Sequence, residues 1–350
     1  MSSDHLPKAI LYSWPTSVWS TVPRLCLREK GYGENEYVIK QVDIFHQNFA
    51  PSYLKLNMNG KTDKIIAPCL PLLTRLVVGT IPTLAVPMIE TTGPGVDTRF
   101  RTLRDTITIC DFLDQARSSH SSRTVSDRPA PTLAPATIEG KALSDIIIDL
   151  VHRPSVDPNF LQLAAASPEE LKVKAHGAPG EMLNARKSNL EAYVAEAEQM
   201  AKDSVASGKT KDGKETTTYE QRMVAFLKEK EAANKLLWEV FNGKAGSERE
   251  QVFFEASKKA WNEGVPDTLS KLEDSIKGLY ALGDQVSLAD LHVIAWMARL
   301  VSLAGGGPTP GGVDKLQAKA GGTIGPKVRA FWAAWVERSS FKQEYPGKLH

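Results

Sequence analysis

Apolar positions in the first third of the chain change their spacing from element to element. Residues 9–12 (AILY) form a short apolar run, which predicts a strand. Residues 18–30 carry apolar side chains at helical spacing and stop at Gly31, which predicts a helix closed by a glycine. Pro23 suits only a first turn, so it moves the regular start of that helix a few residues later. Residues 37–44 (YVIKQVDI) alternate and predict a second strand. Residues 81–86 (IPTLAV) predict a third, with a proline near its start. Residues 105–116 (DTITICDFLDQA) return to a helical period, with Ile107, Cys110, Phe112 and Leu113 apolar. A β-α-β start followed by another strand and helix predicts a small mixed sheet with helices on its faces.

The pattern then breaks. Residues 118–137 are rich in Ser, Pro and Thr without apolar period, which predicts a linker or a mobile loop. Everything after it reads as helix: 142–152, 183–204, 219–242, 248–261, 267–282, 287–303 and 326–338. A polar loop at 206–218 and a glycine-rich loop at 305–322 interrupt the series. The segment 287–303 is apolar on nearly every face and is the expected central buried helix. The predicted fold class is therefore α/β plus all-α. It divides into an N-terminal domain at 1–117, a linker at 118–140 and a helical domain at 141–350.

Composition adds mostly exclusions. With 43 basic and 41 acidic residues the net charge is +2, and no basic stripe points to nucleic acid or an anionic membrane. The most apolar stretch, 65–89, contains Arg75 and four prolines, which argues against a membrane helix. The three cysteines, Cys26, Cys69 and Cys110, show neither a disulfide framework nor a metal spacing. The start carries no apolar segment that reads as a secretory signal. The expectation is a soluble, cytoplasmic protein without a metal.

Four short stretches carry candidate chemistry, and each has a plain structural reading beside it. Ser287 and Asp290 have capping-box spacing, which makes them a folding element at a helix start. Pro82 opens an apolar strand, where an Ile–Pro bond is trans by ordinary preference and occasionally cis. Asp105 and Thr106 stand where a helix begins. Either can be its N-cap, and the exposed N–H groups there can also grip a carboxylate. Ser17 lies where the first strand turns into the first helix. It reads as an N-cap, or as the hydroxyl that, with the helix terminus, holds an anion such as a thiolate.

In order and spacing, these pieces resemble the cytosolic glutathione transferases. WPTSVWSTVPRLCLREKGY is similar to their signature, in which a catalytic hydroxyl precedes the glycine closing the first helix by fourteen residues; counting back from Gly31 gives Ser17. IPTL resembles their Val/Ile-Pro strand start, where the proline is cis, and RDTITICDFLD resembles their Glu-Ser-x-x-Ile helix start. SLADLHVIAWMARL resembles their C-terminal capping box, and KVRAFWAAWVERSSFKQEY their last helix. Length and the Ser/Pro-rich linker look most like fungal members.

The resemblance implies a thioredoxin-like domain that binds glutathione as co-substrate, followed by an all-helical domain, in a homodimer. It implies that the glutathione backbone pairs with Ile81 beside Pro82, and that its γ-glutamyl end meets Asp105 and Thr106. Ser17 would donate to the sulfur, whose thiolate attacks a small hydrophobic electrophile in a detoxifying conjugation or an ether cleavage. Trp14 and Trp19 would line the electrophile's wall, or one of them is core. The glycyl carboxylate has no obvious basic partner; His46, Gln47 and Lys55 are the candidates. Serine at position 17 disfavours the mixed-disulfide chemistry of cysteine-bearing classes. The alternative is a non-catalytic protein of the same fold that binds apolar ligands or a protein partner.

One segment departs from the family. KTDKIIAPCLPLLTRLVVG, residues 61–79, separates LNMNG from TIPTL, which run together in the family. It reads either as an authentic loop, with a hydrophobic lid or partner surface, or as an unspliced in-frame intron of the gene.

Overall fold

The computed structural model describes residues 9–45, 47–57, 83–88, 99–118, 126–206 and 218–350. His46, Ile81, Pro82 and the segment 61–79 lie outside the described residues. By contacts the chain forms two compact units. One comprises Met1–Gln41, Ile81–Leu161 and Lys259–His350; the other comprises Val42–Thr80 and Gln162–Lys258.

The first unit contains the sheet. Its strands are β1 (Ala9–Ser13), β2 (Tyr37–Gln41), β3 (Thr83–Met88) and β4 (Arg99–Leu103), in the order β2-β1-β3-β4. β1 pairs with β2 in parallel, Leu11 opposite Ile39, and with β3 antiparallel, Leu11 opposite Leu84. β4 runs antiparallel to β3. Helix α1 (Val18–Glu29) makes the crossover between the parallel strands, and α3 (Thr106–Ala116) follows β4. This β-α-β, β-β-α arrangement is thioredoxin-like. Gly31 ends the first crossover at φ +68°, and a Cβ there would stand 2.6 Å from the Pro129 carbonyl oxygen, so only glycine fits.

Three differences from the sequence pattern stand out in this region. The second strand stops at Gln41 instead of continuing to residue 44. A fourth strand, β4, escapes the pattern because RFRTL has too few apolar positions to register. The Ser/Pro-rich stretch is also tied down from Ser126 onward. Arg117, almost wholly buried, donates to the carbonyls of Lys30 at 2.7 Å and Arg128 at 2.7 Å. Asp114 accepts from Leu133 N at 2.8 Å and Ala134 N at 3.0 Å and pairs with Lys30 at 2.9 Å. Buried charges thus order a segment that composition reads as free.

The helical chain of this unit begins at Thr137, whose hydroxyl accepts from Gly140 N at 3.0 Å and caps α4 (Ile138–His152). The capping signal starts the helix earlier than its apolar period does. A π-turn (Ala260–Gly264) precedes α10 (Val265–Ser275), with Pro266 in the first turn of the latter. α11 (Leu288–Leu303) is buried on every face, as its sequence predicts. At its start the Asp290 carboxylate accepts from Ser287 N at 2.8 Å, Ser287 Oγ at 2.5 Å and Ala281 N at 2.8 Å. Burial raises Asp290 to about 6. The glycine-rich stretch contains a helix, α12 (Gly312–Ala320), and the predicted last helix is two: α13 (Pro326–Glu337) and α14 (Ser339–Glu344), broken at Arg338.

In the second unit, a short helix α2 (Pro51–Leu54) packs on a pair of long ones, α7 (Ala178–Ala206) and α8 (Tyr219–Phe241). Phe49, Leu54, Leu190, Val194, Met223 and Leu227 form the shared core. Thr218 and Gln221 cap α8 reciprocally, at 3.2 and 2.8 Å. Helices α5 (Pro158–Leu163), in part, and α6 (Pro168–Ala175) precede this pair, and α9 (Ser247–Lys259) follows it. α5 and α6 are too short for an apolar period to reveal, although Ser167-Pro168 carries the cap-then-proline signature of a start.

Candidate functional site

The sharpest chemistry lies where β1 ends and α1 begins. Ser17 is the N-cap of α1, with φ −83° and ψ 120°. Its Oγ accepts from Ser20 N at 3.4 Å, and its own N–H donates to the Trp14 carbonyl at 3.1 Å. The N–H groups of Val18 and Trp19 find no acceptor among the described residues. The Ser20 hydroxyl is fully buried and has no hydrogen-bond partner among the described residues. Ser17 is half-buried and Thr16 beside it is exposed. A helix start with free N–H groups and a reachable hydroxyl suits an anion, because the aligned peptide dipoles leave partial positive charge there.

The turn before Ser17 is held by two buried arginines. Arg24, one helical turn past Thr21, donates Nη1 to the Trp14 carbonyl at 2.9 Å and to Ser13 Oγ at 2.6 Å. Its Nη2 donates to the Pro15 carbonyl at 2.8 Å and Thr21 Oγ1 at 2.9 Å. Its Nε donates to Glu344 Oε1 at 2.7 Å, and Nη2 meets the same oxygen. Arg299, from α11, donates to the Thr16 carbonyl. Burial lowers Arg299 to about 10, with Asp157 pulling the other way. Three consecutive carbonyls, at 14, 15 and 16, are therefore turned onto guanidinium groups.

Trp19 faces a different neighbour. Its ring stacks on His152, centroids 3.9 Å apart and 18° between planes. His152 Nε2 in turn lies 2.8 Å from His292 Nδ1, a hydrogen bond between two rings. Packing desolvates both and lowers both pKa values, His152 to about 4. The pair is neutral at pH 7, and one ring donates to the other. The Asp105 carboxylate exerts a weaker upward pull on His152.

Asp105 is the N-cap of α3, and Oδ1 accepts from Thr108 N at 2.8 Å. Asp105 is exposed, and Thr106, the first helical residue, is buried. Trp14 and Trp19 are half-buried in the same unit as Ser17. Gln47 and Lys55 are exposed and belong to the second unit. Gln47 Oε1 accepts from Asp43 N at 3.1 Å. Among the described residues, no three His, Cys, Asp or Glu side chains gather as a metal site, and no helix is long and apolar enough to cross a membrane.

Five residues of this neighbourhood escape motif reading: Arg24, His152, His292, Arg299 and Glu344. For two of them a signal is present. His292 and Arg299 are ionisable residues inside a helix apolar on all faces, seven positions and hence about two turns apart. Buried ionisable groups need partners, so each marks a place where something must be met. Glu344 is legible only from the fold, since it lies 320 residues from Arg24.

No protein-family model and no curated protein sequence matches the chain. Among solved structures, it is similar to glutathione transferase F7 from Populus trichocarpa, at 16% identity over 96% of this chain and 97% of that one, with a TM-score of 0.44. It is similar to glutathione transferase Omega 3C from Trametes versicolor at 14% identity, covering 99% and 88%, with a TM-score of 0.46. It is also similar to the beta-etherase LigF from Sphingobium sp. strain SYK-6, at 17% identity over 97% and 98%, with a TM-score of 0.48.

Proposed function

We propose that the chain is a glutathione transferase of fungal type that activates the glutathione thiol at Ser17. The observation that carries this reading is the N-cap itself: a half-buried hydroxyl beside the N–H groups of Val18 and Trp19, which find no acceptor among the described residues. A free thiol has a pKa near ~8.5, and the thiolate is the nucleophile. A hydroxyl donor and a helix N-terminus both favour the charged form, so more thiolate is present at neutral pH. The Ser17 hydroxyl donates to the sulfur, which attacks a small apolar electrophile. No residue needs to take a proton from a neutral thiol in the transition state if the thiolate is already formed.

In this reading Asp105 and Thr106 hold the γ-glutamyl end, the carboxylate of Asp105 meeting its ammonium group. Ile81 and Pro82 pair with the peptide backbone, and His46, Gln47 or Lys55 holds the glycyl carboxylate. Residues 1–117 are the glutathione-binding domain, 118–140 the linker and 141–350 the helical domain. The protein works as a cytoplasmic homodimer.

A glutathione titration followed by calorimetry and tryptophan fluorescence tests this, run on the full chain and on a version lacking residues 61–79. Binding by the full chain, with turnover of a model electrophile that Ser17→Ala abolishes, supports it. Binding only by the shortened chain supports the site and favours the intron reading of that segment. Absence of binding by both folded proteins overturns the proposal.

A further inference from the structure

We infer that Arg24 and Arg299 are positioning residues for Ser17: together they lock the Trp14–Thr16 turn so that the start of α1 presents the N–H groups of Val18 and Trp19, which find no acceptor among the described residues, and Glu344 locks Arg24. The inference rests on reading Ser17 as the place where an anionic sulfur sits. Its basis is geometric. A turn between a strand and a helix has carbonyls that can point toward the helix start, where an electronegative oxygen would oppose an anion. Here none of the three is available for that. The Trp14 and Pro15 carbonyls accept from Arg24 at 2.9 and 2.8 Å, and the Thr16 carbonyl accepts from Arg299. Arg24 also reaches Ser13 Oγ at 2.6 Å, which ties the end of β1 to the same fork.

The geometry requires arginine. One planar guanidinium serves Ser13, Trp14, Pro15, Thr21 and Glu344 at once. An ammonium has three donors on a flexible stem and cannot span that set. Glu344 is buried, and its carboxylate also meets Thr21 Oγ1 at 3.3 Å and Arg28 at 3.7 Å. A buried cation that touched only carbonyls would carry a large desolvation cost, and the carboxylate offsets it. The helix that supplies Glu344 thus holds the turn that shapes the candidate site.

The test separates this inference from glutathione itself. Ser17→Cys places a titratable thiol at the N-cap, and its pKa is read from the pH dependence of alkylation by iodoacetamide. In the otherwise unchanged chain the introduced thiol titrates below ~8.5, as thiols at helix N-termini do. Arg24→Lys and Arg299→Lys are then added separately in that background. Both keep every charge of the cluster, including Glu344 and Asp157, so a changed midpoint reports geometry and not a lost charge. Each raises the midpoint, lowering the thiolate fraction at pH 7 about threefold to tenfold, the span expected when a helix terminus is disordered or partly blocked.

Melting of each variant, followed by circular dichroism, confirms that it is folded. If Arg24→Lys does not fold, Arg299→Lys alone decides the matter. Unchanged midpoints in folded variants overturn the inference, as does an introduced thiol with an ordinary midpoint. A thiol that responds as expected, in a chain whose Ser17 form does not bind glutathione, upholds the clamp and rejects the glutathione reading.

Discussion

Trp19 and His152 lie face to face, ring centroids 3.9 Å apart, and the far nitrogen of His152 is bonded to His292 at 2.8 Å. The first turn of α1 is thereby fixed to α4 and α11 through a file of three rings. Aromatic pairs of this kind contribute about 0.5–1.5 kcal/mol beyond the area they cover. His152→Ala removes the stack and leaves His292 Nδ1 without its partner. Urea unfolding of that variant gives a stability loss of about 1–3 kcal/mol, the lost hydrogen bond included. A loss below the error of the measurement would mean that the file does not hold the helix.

The same pair sets a pH dependence with a definite sign. His152 falls from its ordinary 6.5 to about 4 on folding, because the ring is desolvated. Below pH 6.5 the unfolded chain takes up a proton that the folded one refuses until about pH 4. The contribution is present above 6.5 and is lost as the pH falls toward 4. Asp157 runs the other way: its carboxyl rises from 3.8 to about 6, so its contribution is full below 3.8 and is lost as pH rises through 6. His152→Gln isolates the first effect. Its stability difference from the parent narrows between pH 7 and pH 5 in thermal melts. A constant difference across that range would contradict the assignment of a neutral ring.

Ser17→Ala separates capping from chemistry. Losing an N-cap hydroxyl costs about 0.5–2 kcal/mol, and the 3.4 Å bond to Ser20 N places this one at the low end. The melting temperature therefore drops by a few degrees at most, while conjugation of glutathione to a model electrophile falls at least a hundredfold and glutathione affinity changes little. Activity assays and calorimetry on the same preparation check it. Full turnover in the variant would assign Ser17 to capping alone.

Asp114 is an anchor of the second half of the linker. It pairs with Lys30 at 2.9 Å and accepts from the N–H groups of Leu133 and Ala134. Asp114→Ala strands a buried ammonium and two backbone donors. Removing one member of a buried pair costs about 3–5 kcal/mol. Limited proteolysis of the variant yields early cleavage near Arg128, which the parent resists. Equal cleavage of both would show that the segment is held by other contacts.

Much of this protein was determined by local sequence. The alternation of strand and helix periods placed β1, α1, β3 and α3, because a period of two or of 3.6 is imposed by which face must be buried. Asp290 three residues after Ser287 marked the start of α11, since capping chemistry is local. Ser17 reads locally as an N-cap, and it is singled out only through the resemblance to glutathione transferases, in whose signature a hydroxyl precedes the closing glycine by fourteen residues. Position 105 rather than 106 as the cap of α3 was not settled by the sequence, because Asp and Thr are both N-cap residues and the backbone conformation decides which of them stands outside the helix.

What only the tertiary structure decided is how charges far apart in sequence meet. Arg24 meets Ser13, Trp14, Pro15 and Thr21 close by in sequence, but its carboxylate partner, Glu344, lies near the other end of the chain; their bond exists because α14 packs against α1. The order of residues 126–134 follows from Asp114, Lys30 and Arg117, and no reading of Ser and Pro content contains it. Apolar burial repeats with the period of an element and so is written locally. A buried charge is satisfied by whichever group the fold brings to it, and that group can come from anywhere in the chain.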